Sequence, residues 1–479
     1  MTERVGEPAL MRRAAFGLAV AVRRILGDGA RRGANSAGRR VVLLVGAGNN
    51  GGDALWAGTF LRRRGLAVTA VLLSPQRVHA AGLAAFRCSG GWVRDASAAG
   101  VVDGVIDGAD VVVDGIVGLS GRGPLRPAAA ELVERVRAPV VSVDLPSGVD
   151  PDTGAVDGPA VTAATTVTFG ALKPVHVLAP QRCGTVEVVD IGLGAVLCEP
   201  AMRVLDAADV GGLWPVPGPA DDKYTQGVVG IAAGSATYLG AAVLTSGAAV
   251  LATSGLVRYA GAAADPVRAR WPEVVATGSI GDAGRVQAWA IGPGLGTGSD
   301  GRSALRHVLA DGVPVCADAD AITMLAHDPT LWDSREPEVP VLLTPHEREF
   351  ARIAGEPGAD RVAAAHQAAV KLGVTMLVKG HATVMADADG QVLVHPCASS
   401  WPATAGSGDV LTGLVGALLA AGRPPLLAAG AAVYVHELAA RLAARGAPAP
   451  ASAILAAIPD AIRAIRAAAQ AGDCSHRGL

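Results

Sequence analysis

The segment with the most chemical content is Thr404-Ala405-Gly406-Ser407-Gly408-Asp409-Val410-Leu411-Thr412-Gly413, which opens a long apolar stretch. Backbone amides at such a helix start can face a transferring phosphoryl group, and the carboxylate of Asp409 can take the proton of an attacking hydroxyl. The plainer alternative is a first-turn acid that only answers the helix dipole. No Walker-type GK[ST] occurs, so the chain is not a P-loop enzyme. Further polar clusters follow other apolar runs in this half. They are Gly234-Ser235, Gly240-Ala241, Gly292-Pro293-Gly294-Leu295-Gly296, Asp318-Ala319-Asp320-Ala321, Thr344-Pro345-His346-Glu347-Arg348-Glu349 and Val378-Lys379-Gly380-His381-Ala382-Thr383.

A second group of loops lies in the first half. The run Val41 to Val45 leads into Gly46-Ala47-Gly48-Asn49-Asn50-Gly51-Gly52-Asp53, whose glycines let backbone N–H groups approach a phosphate. Gly46, Gly48 and Gly51 match the dinucleotide fingerprint, but the ribose-binding acid expected about 20 residues on is missing. The second run ends Leu72-Leu73-Ser74-Pro75-Gln76-Arg77, with no carboxylate, which disfavours an NAD-dependent dehydrogenase. Asp114 opens a second loop, Gly118-Leu119-Ser120-Gly121-Arg122-Gly123-Pro124, and Asp144 precedes Ser147 in a third. Asn, Asp and Ser oxygens are hard ligands, better suited to an alkali or alkaline-earth cation than to zinc. Lysine is scarce in this arginine-rich chain, at positions 173, 223, 371 and 379 only, so Lys173 and Lys379 gain weight as functional candidates.

These loops need a scaffold. A chain of 479 residues, 51% hydrophobic and 18% charged, is sized for two or three packed domains. A formal charge of −2 without basic blocks excludes nucleic acid as the expected partner. The six cysteines show no metal-ligand spacing, which predicts reduced thiols and a cytoplasmic protein. The charge-free segment from Tyr224 to Val257 has the length of a membrane span, but its glycines divide it into a strand, a Gly-Ser turn and a small-residue helix. No membrane partner is expected.

Apolar β-branched runs alternate with Ala-rich helical stretches, the pattern of βα units around a largely parallel sheet. The first half predicts strands at 41–45, 68–73, 111–113, 140–143, 161–169 and 186–191. The second predicts 228–233, 288–291, 313–317, 339–343, 374–378 and 392–395, then helix from 409 to 469. The Pro-rich stretch Trp214 to Pro219 reads as a linker or as the opening turn of a second unit.

The N-terminal loops resemble the NAD(P)H-hydrate epimerase domain, and the C-terminal motifs are similar, in family order, to the ribokinase-like ADP/ATP-dependent NAD(P)H-hydrate dehydratase. The resemblance implies an α/β protein of two domains. Residues 1–205 would form a Rossmann-like three-layer α/β/α epimerase domain, and 206–479 a ribokinase-like dehydratase domain. It implies that Asn49, Asn50, Gly51, Gly52, Asp53 and the loop Gly118, Leu119, Ser120, Gly121, Arg122, Gly123 and Pro124 hold hydrated dinucleotide. Asp144 would contact it and act as acid or base, and Asn50, Asp114 and Ser147 would bind potassium. In the second domain Ala241, Gly294 or Gly296, His346 and Asp409 would meet the substrate. Lys379, Gly380, His381, Ala382, Thr383 and Gly408 would bind the adenine nucleotide, with Glu349 reaching magnesium through water.

The implied activity interconverts the R and S forms of NADHX and NADPHX and dehydrates the S form with ADP as co-substrate. Homo-oligomers are usual in such enzymes. Two departures from the family pattern are Ala54, where glycine is usual, and a first helix that starts abruptly. The competing readings are a ribokinase-like small-molecule kinase fused to a dinucleotide-binding regulatory domain, and an N-terminal half that senses dinucleotide without turnover.

Overall fold

The computed structural model describes residues 7–28, 38–97, 101–197, 199–253, 255–397 and 399–476. The chain divides into two compact units, Met1–Glu199 and Pro200–Leu479.

The first unit holds seven strands: β1 (Arg40–Val45), β2 (Ala67–Leu72), β3 (Trp92–Asp95), β4 (Val111–Gly115), β5 (Val140–Val143), β6 (Thr165–Phe169) and β7 (Thr185–Val189). They pair in the order β3-β2-β1-β4-β5-β6-β7, all parallel. Successive side chains of a strand point to opposite faces, and the apolar pattern here serves both. Val41, Leu43 and Val45 join one core with helices Glu7–Asp28 and Asn49–Arg62, while Val42 and Leu44 join another with Ala129 and Leu132 of helix Pro127–Arg135. A sheet buried on both faces between helices is the expected three-layer form. Because β1 and β4 are neighbours, helix Asn49–Arg62 lies over β4, where Ala54 is fully buried and close to Gly115. Glycine at 115 leaves the room that the Ala54 methyl group occupies.

The second unit holds nine strands: β8 (Val228–Ala232), β9 (Leu256–Ala260), β10 (Val275–Thr277), β11 (Ala288–Ile291), β12 (Val315–Ala317), β13 (Val341–Leu343), β14 (Thr375–Val378), β15 (Ala382–Ala386) and β16 (Val392–Pro396). Their order is β10-β9-β8-β11-β12-β13-β14-β15-β16, parallel except for the antiparallel pairs β14–β15 and β15–β16. Helices Leu239–Ala252, Ser407–Ala420, Pro425–Ala444 and Ala451–His476 share one apolar core with this sheet. Helix Ser407–Ala420 comes in close. A Cβ at Gly413 would stand 2.2 Å from the Thr245 carbonyl oxygen, and one at Gly416 would stand 2.7 Å from the Ala290 methyl group. Trp214, at the head of the Pro-rich stretch, is buried in the same core and donates its indole N–H to the Ala252 carbonyl. That stretch therefore lies inside the second unit, which starts at Pro200 and already includes helix Ala207–Leu213 with Val210 in the same core, and is neither a linker nor the unit's opening turn.

Several sequence expectations need correction. The predicted strand 161–169 starts only at Thr165, because Val161 and Ala163 donate their N–H groups to the loop carbonyls of Ser147 and Arg182. Strands β3, β9 and β10 were not expected. β3 and β10 are short sheet edges, and β3 is largely exposed, so it lacks the apolar run that marks a central strand. β15 was not expected either, its first residues Ala382 and Thr383 closing the polar cluster that follows β14. The final region is almost all helix, as expected, and is made of helices Ser407–Ala420, Pro425–Ala444 and Ala451–His476. The charge-free segment does form the strand, turn and helix expected of it. By length and composition one helix among the described residues could cross a membrane, Pro425–Ala444, and 67% of its apolar window is buried inside the protein, as for a core helix. Cys198 lies outside the described residues, as does the side chain of Cys474, and Cys88, Cys183, Cys316 and Cys397 are free thiols.

Candidate active sites

In the first unit the chain leaves β1 at Gly46, where a Cβ would stand 1.8 Å from the Ile116 carbonyl oxygen, so only glycine passes. Helix Asn49–Arg62 starts directly after it. The Asn50 amide donates to the carbonyls of Val117 (2.9 Å) and Val143 (2.8 Å), tying the helix start to the loops after β4 and β5. Asp114, fully buried at the end of β4, accepts from Ser142 Oγ (2.9 Å), Ser147 N (2.9 Å) and Ser147 Oγ (2.6 Å). Ser147 Oγ in turn accepts from Val117 N. The three residues expected to bind potassium are thus brought together. Burial pushes the Asp114 carboxyl upward despite these hydrogen bonds, and among the described residues no ion pair supplies it with a cation. An all-oxygen donor set around a buried carboxylate fits a hard monovalent ion.

Asp144 follows β5 with φ 65°, a left-handed conformation unusual for a residue other than glycine. Its conformation is held from several sides. Its N–H donates to Val167 O, and its Oδ1 accepts from Thr168 Oγ1 (2.8 Å) and from Lys173 Nζ (2.7 Å). Lys173 Nζ also donates to the Phe169 carbonyl. His176 Nδ1 accepts from Lys173 N, so the ring proton sits on Nε2 and is donated to the Asp144 carbonyl at 2.7 Å. Burial lowers the His176 pKa, which favours this neutral tautomer. Lys173, singled out by the scarcity of lysine, is therefore the ion-pair partner of Asp144. Thr168 and His176 went unrecognised, since neither belongs to a motif.

Asp53 lies one turn into helix Asn49–Arg62 and is 8% exposed. Among the described residues its Oδ1 has no hydrogen-bond partner. Burial, then the Asp144 charge, push its carboxyl up to about 7. On the loop from Gly118 to Pro124, Arg122 donates to the Leu119 and Gly121 carbonyls and pairs with Asp152 at 2.6 Å. Leu119 is exposed.

In the second unit Gly406 takes φ 83° and the helix starts at Ser407, placing Asp409 in its first turn. A cleft of about 470 Å³ is lined by Thr237, Tyr238, Gly240, Ala241, Gly294, Asp320 and Asp409. Of the expected substrate residues, Ala241, Gly294 and Asp409 share this wall, whereas Gly296 and His346 do not line it. Gly296 N donates to Asp320 Oδ2 (2.8 Å), which fixes the glycine loop. His346 caps helix Glu347–Ala354: its Nδ1 accepts from Glu349 N while Glu349 Oε2 accepts from His346 N, and its ring stays half exposed.

Behind Asp409 lies Asp318, 2% exposed. Its two oxygens accept from Lys379 Nζ (2.8 Å) and Thr412 Oγ1 (2.9 Å). Burial and the Asp318 charge push the Asp409 carboxyl up to about 6, with Lys379 pulling the other way. Lys379 itself is half-buried, which works against its charge, but Asp318 and Glu349 outweigh that and raise it. A Cβ at Gly408 would meet Asp318 and Lys379 at 3.5 and 3.7 Å, so the expected nucleotide residues Lys379 and Gly408 adjoin the base. Arg361 supports the rest of that loop, donating to the Lys379 carbonyl and meeting His381 Nδ1 at 3.4 Å. Ala382 and Thr383 are buried on β15. Arg361, absent from every motif, went unrecognised, as did His436, which is buried against Ser407 Oγ at 2.9 Å and lowered to about 4 by burial.

Among the described residues no three His, Cys, Asp or Glu side chains form a metal cage. Magnesium does not require one, because it is commonly carried by phosphate oxygens with one or two carboxylates.

Comparison with known proteins agrees with both halves. The family described as NAD(P)H-hydrate dehydratase matches residues 229–460, and the YjeF-related protein N-terminus family matches residues 7–175. A ribokinase-like superfamily protein from Enterococcus faecalis V583 has a similar crystal structure, with TM-score 0.51 and 25% identity, covering 56% of this chain and 98% of that one. The bifunctional NAD(P)H-hydrate repair enzyme Nnr of Mycobacterium tuberculosis (strain CDC 1551 / Oshkosh) is 57% identical over 420 residues, 87% of this chain and 85% of that protein. Its counterpart in Mycobacterium leprae (strain TN) is 55% identical over 439 residues, 91% of this chain and 89% of that protein. Such similarity runs through both units, and the chain belongs to the bifunctional NAD(P)H-hydrate repair enzyme family.

Proposed function

We infer that this chain restores hydrated nicotinamide cofactors, residues 1–205 interconverting the R and S epimers of NADHX and NADPHX and residues 206–479 dehydrating the S epimer at the expense of ADP. The observation that carries this reading is Asp409. It stands on the wall of a cleft, in the first turn of a helix, beside a lysine and with its carboxyl raised to about 6. A base of that pKa is charged at neutral pH and still takes up a proton readily.

Hydroxide is a poor leaving group, so the C6 hydroxyl is first phosphorylated. Asp409 takes its proton as the oxygen attacks the β-phosphoryl group of ADP, and AMP departs. The ring nitrogen then pushes its electron pair in as phosphate leaves, and loss of a proton from C5 returns that pair to nitrogen and forms the C5–C6 double bond of NAD(P)H. Lys379 and the amides at Gly408 offer positive charge and donors where negative charge gathers. Lys379 to Thr383 and Gly408 hold the nucleotide, and Ala241, Gly294 or Gly296, and His346 hold the hydrated ring. Glu349 would hold magnesium through water, and the bound ion would neutralise phosphate charge.

In the first unit Asn49 to Asp53 and Gly118 to Pro124 hold the dinucleotide. Asp144 serves as acid or base. Asn50, Asp114 and Ser147 hold potassium, which when bound supplies positive charge to the buried Asp114 and to the anionic dinucleotide. We place the protein in the cytoplasm with the soluble cofactor pool.

The test is incubation of the S epimer with ADP and magnesium, followed by product analysis. NADH, AMP and phosphate in equal amounts support the reading, whereas a stable phosphorylated product would identify a small-molecule kinase.

A further inference from the structure

The epimerase reading of the first unit leaves one chemical requirement open, and the inference here rests on that reading. The substrate carbon C6 carries both the ring nitrogen and a hydroxyl. Inverting it by loss and return of the hydroxyl requires a proton donor for the departing oxygen and an acceptor for the arriving one. Asp144 can be only one of these at a time.

Asp53 has the placement of the other. The Asn50 amide donates to the carbonyl of Val143, the residue before Asp144, at 2.8 Å. Asp53 stands three residues further on the same helix, and residues so spaced share a face. Its Oδ1 is buried and meets no donor among the described residues, whereas the Asp144 carboxyl is held by Lys173 and Thr168. The two carboxyls are close enough for the Asp144 charge to raise Asp53, and burial keeps a proton on Asp53 up to about neutral pH. Two carboxyls whose surroundings separate them in this way divide the acid and base roles. The strain at Asp144, φ 65°, marks the position as one the fold has built at a cost. An isolated buried carboxyl with a free oxygen is costly for stability alone, and a substrate hydroxyl would give that oxygen its partner.

We propose that Asp53 is a catalytic residue of the epimerisation, the proton-donating partner of Asp144 across C6 of the hydrated nicotinamide ring. In one direction Asp53 gives its proton to the C6 hydroxyl. The C6–O bond breaks, the lone pair of the ring nitrogen forms the C6–N double bond, and water leaves. Water then adds to the opposite face, its proton passes to Asp144, and the electron pair returns to nitrogen. One proton has moved from Asp53 to Asp144. The opposite turnover starts from that state with the roles exchanged, and exchange with solvent resets the pair.

The experiment uses the intact chain without ADP, so that the second site is silent. R-NADHX is incubated in ¹⁸O-water, and inversion and label uptake at C6 are followed by chromatography and mass spectrometry, with the spontaneous rate subtracted. The parent chain is expected to invert with one labelled oxygen incorporated per inversion. Asp53→Asn keeps the shape of the side chain but cannot donate the acid proton. It is expected to lose about 100-fold or more in kcat, with KM changed little and label uptake lost in step. Asp53→Glu restores the carboxyl and is expected to recover part of the rate. An Asp53→Asn chain with undiminished kcat and a raised KM would overturn the proposal, leaving Asp53 as a binding group only. Inversion by the parent without label would overturn it too, because the C6–O bond would not have broken. Absence of enzymatic inversion in the parent would instead remove the epimerase reading itself. Melting curves of each variant separate loss of fold from loss of chemistry.

Discussion

The electrostatics around Asp409 can be tested through Asp318. Burial and the neighbouring Asp318 raise the Asp409 carboxyl from 3.8 to about 6, a penalty of about 3 kcal/mol on its charged form. As the base, Asp409 must be unprotonated. The kcat/KM of dehydration should then fall about tenfold per pH unit below pH 6 and be level above it. Asp318→Asn removes the negative neighbour and also frees Lys379, which is bonded to Asp318 at 2.8 Å. Both changes favour charge on Asp409, so the acid limb must move down, by about one pH unit for each 1.4 kcal/mol of lost repulsion. The variant also breaks a buried ion pair, for which about 3–5 kcal/mol of stability is typical, so profiles should be taken well below its melting temperature. The assay is the stopped-flow rise of NADH absorbance from the S epimer at saturating ADP and magnesium. A limb near pH 4 in the parent, or one that moves upward in Asp318→Asn, would refute this account of the base.

Three further outcomes follow from the packing and the charges. Gly413→Ala places a methyl group 2.2 Å from the Thr245 carbonyl oxygen, and should cost about 1–3 kcal/mol in urea unfolding. An unchanged midpoint would mean that the helix shifts freely. His436 titrates near 4 when folded and near its ordinary 6.5 when unfolded. Its contribution is thus complete above about pH 6.5 and is lost as the pH falls from there towards 4. Over that range the parent should lose about 3 kcal/mol relative to His436→Asn, which has no titrating ring there; parallel stability curves would contradict the assignment. Lys173→Met leaves Asp144 without its ion-pair partner and should slow inversion of R-NADHX about 100-fold. Dehydration of S-NADHX by the same chain serves as the control, and equal loss of both would point to misfolding.

What the sequence could and could not disclose follows from where the information lies. Val41 to Val45 is apolar at every position, because both faces of β1 are covered, and such a run announces a buried parallel strand. β3 and β10 sit at sheet edges and carry no such run, so only pairing reveals them. The same contrast holds for the sites. Gly46, Asn50 and Asp409 stand in contiguous motifs at loop-to-helix junctions whose composition exceeds what a turn requires. Thr168, His176 and Arg361 act through contacts that only the fold creates, and a lone threonine, histidine or arginine carries no local sign of that. Lys173 was visible only through the scarcity of lysine. The raised carboxyls of Asp53 and Asp409 depend on burial and on a second carboxylate, neither of which spacing encodes.

The central claim is that one chain both inverts and dehydrates. Its most direct test is the recovery of NADH absorbance from a mixture of R and S NADHX with ADP and magnesium, comparing the intact chain with Asp409→Ala and Asp144→Ala. The account predicts full recovery by the intact chain, none above the spontaneous rate with Asp409→Ala, and with Asp144→Ala a halt once the S fraction is spent. Failure of the intact chain to recover NADH with ADP or any other nucleotide would contradict it.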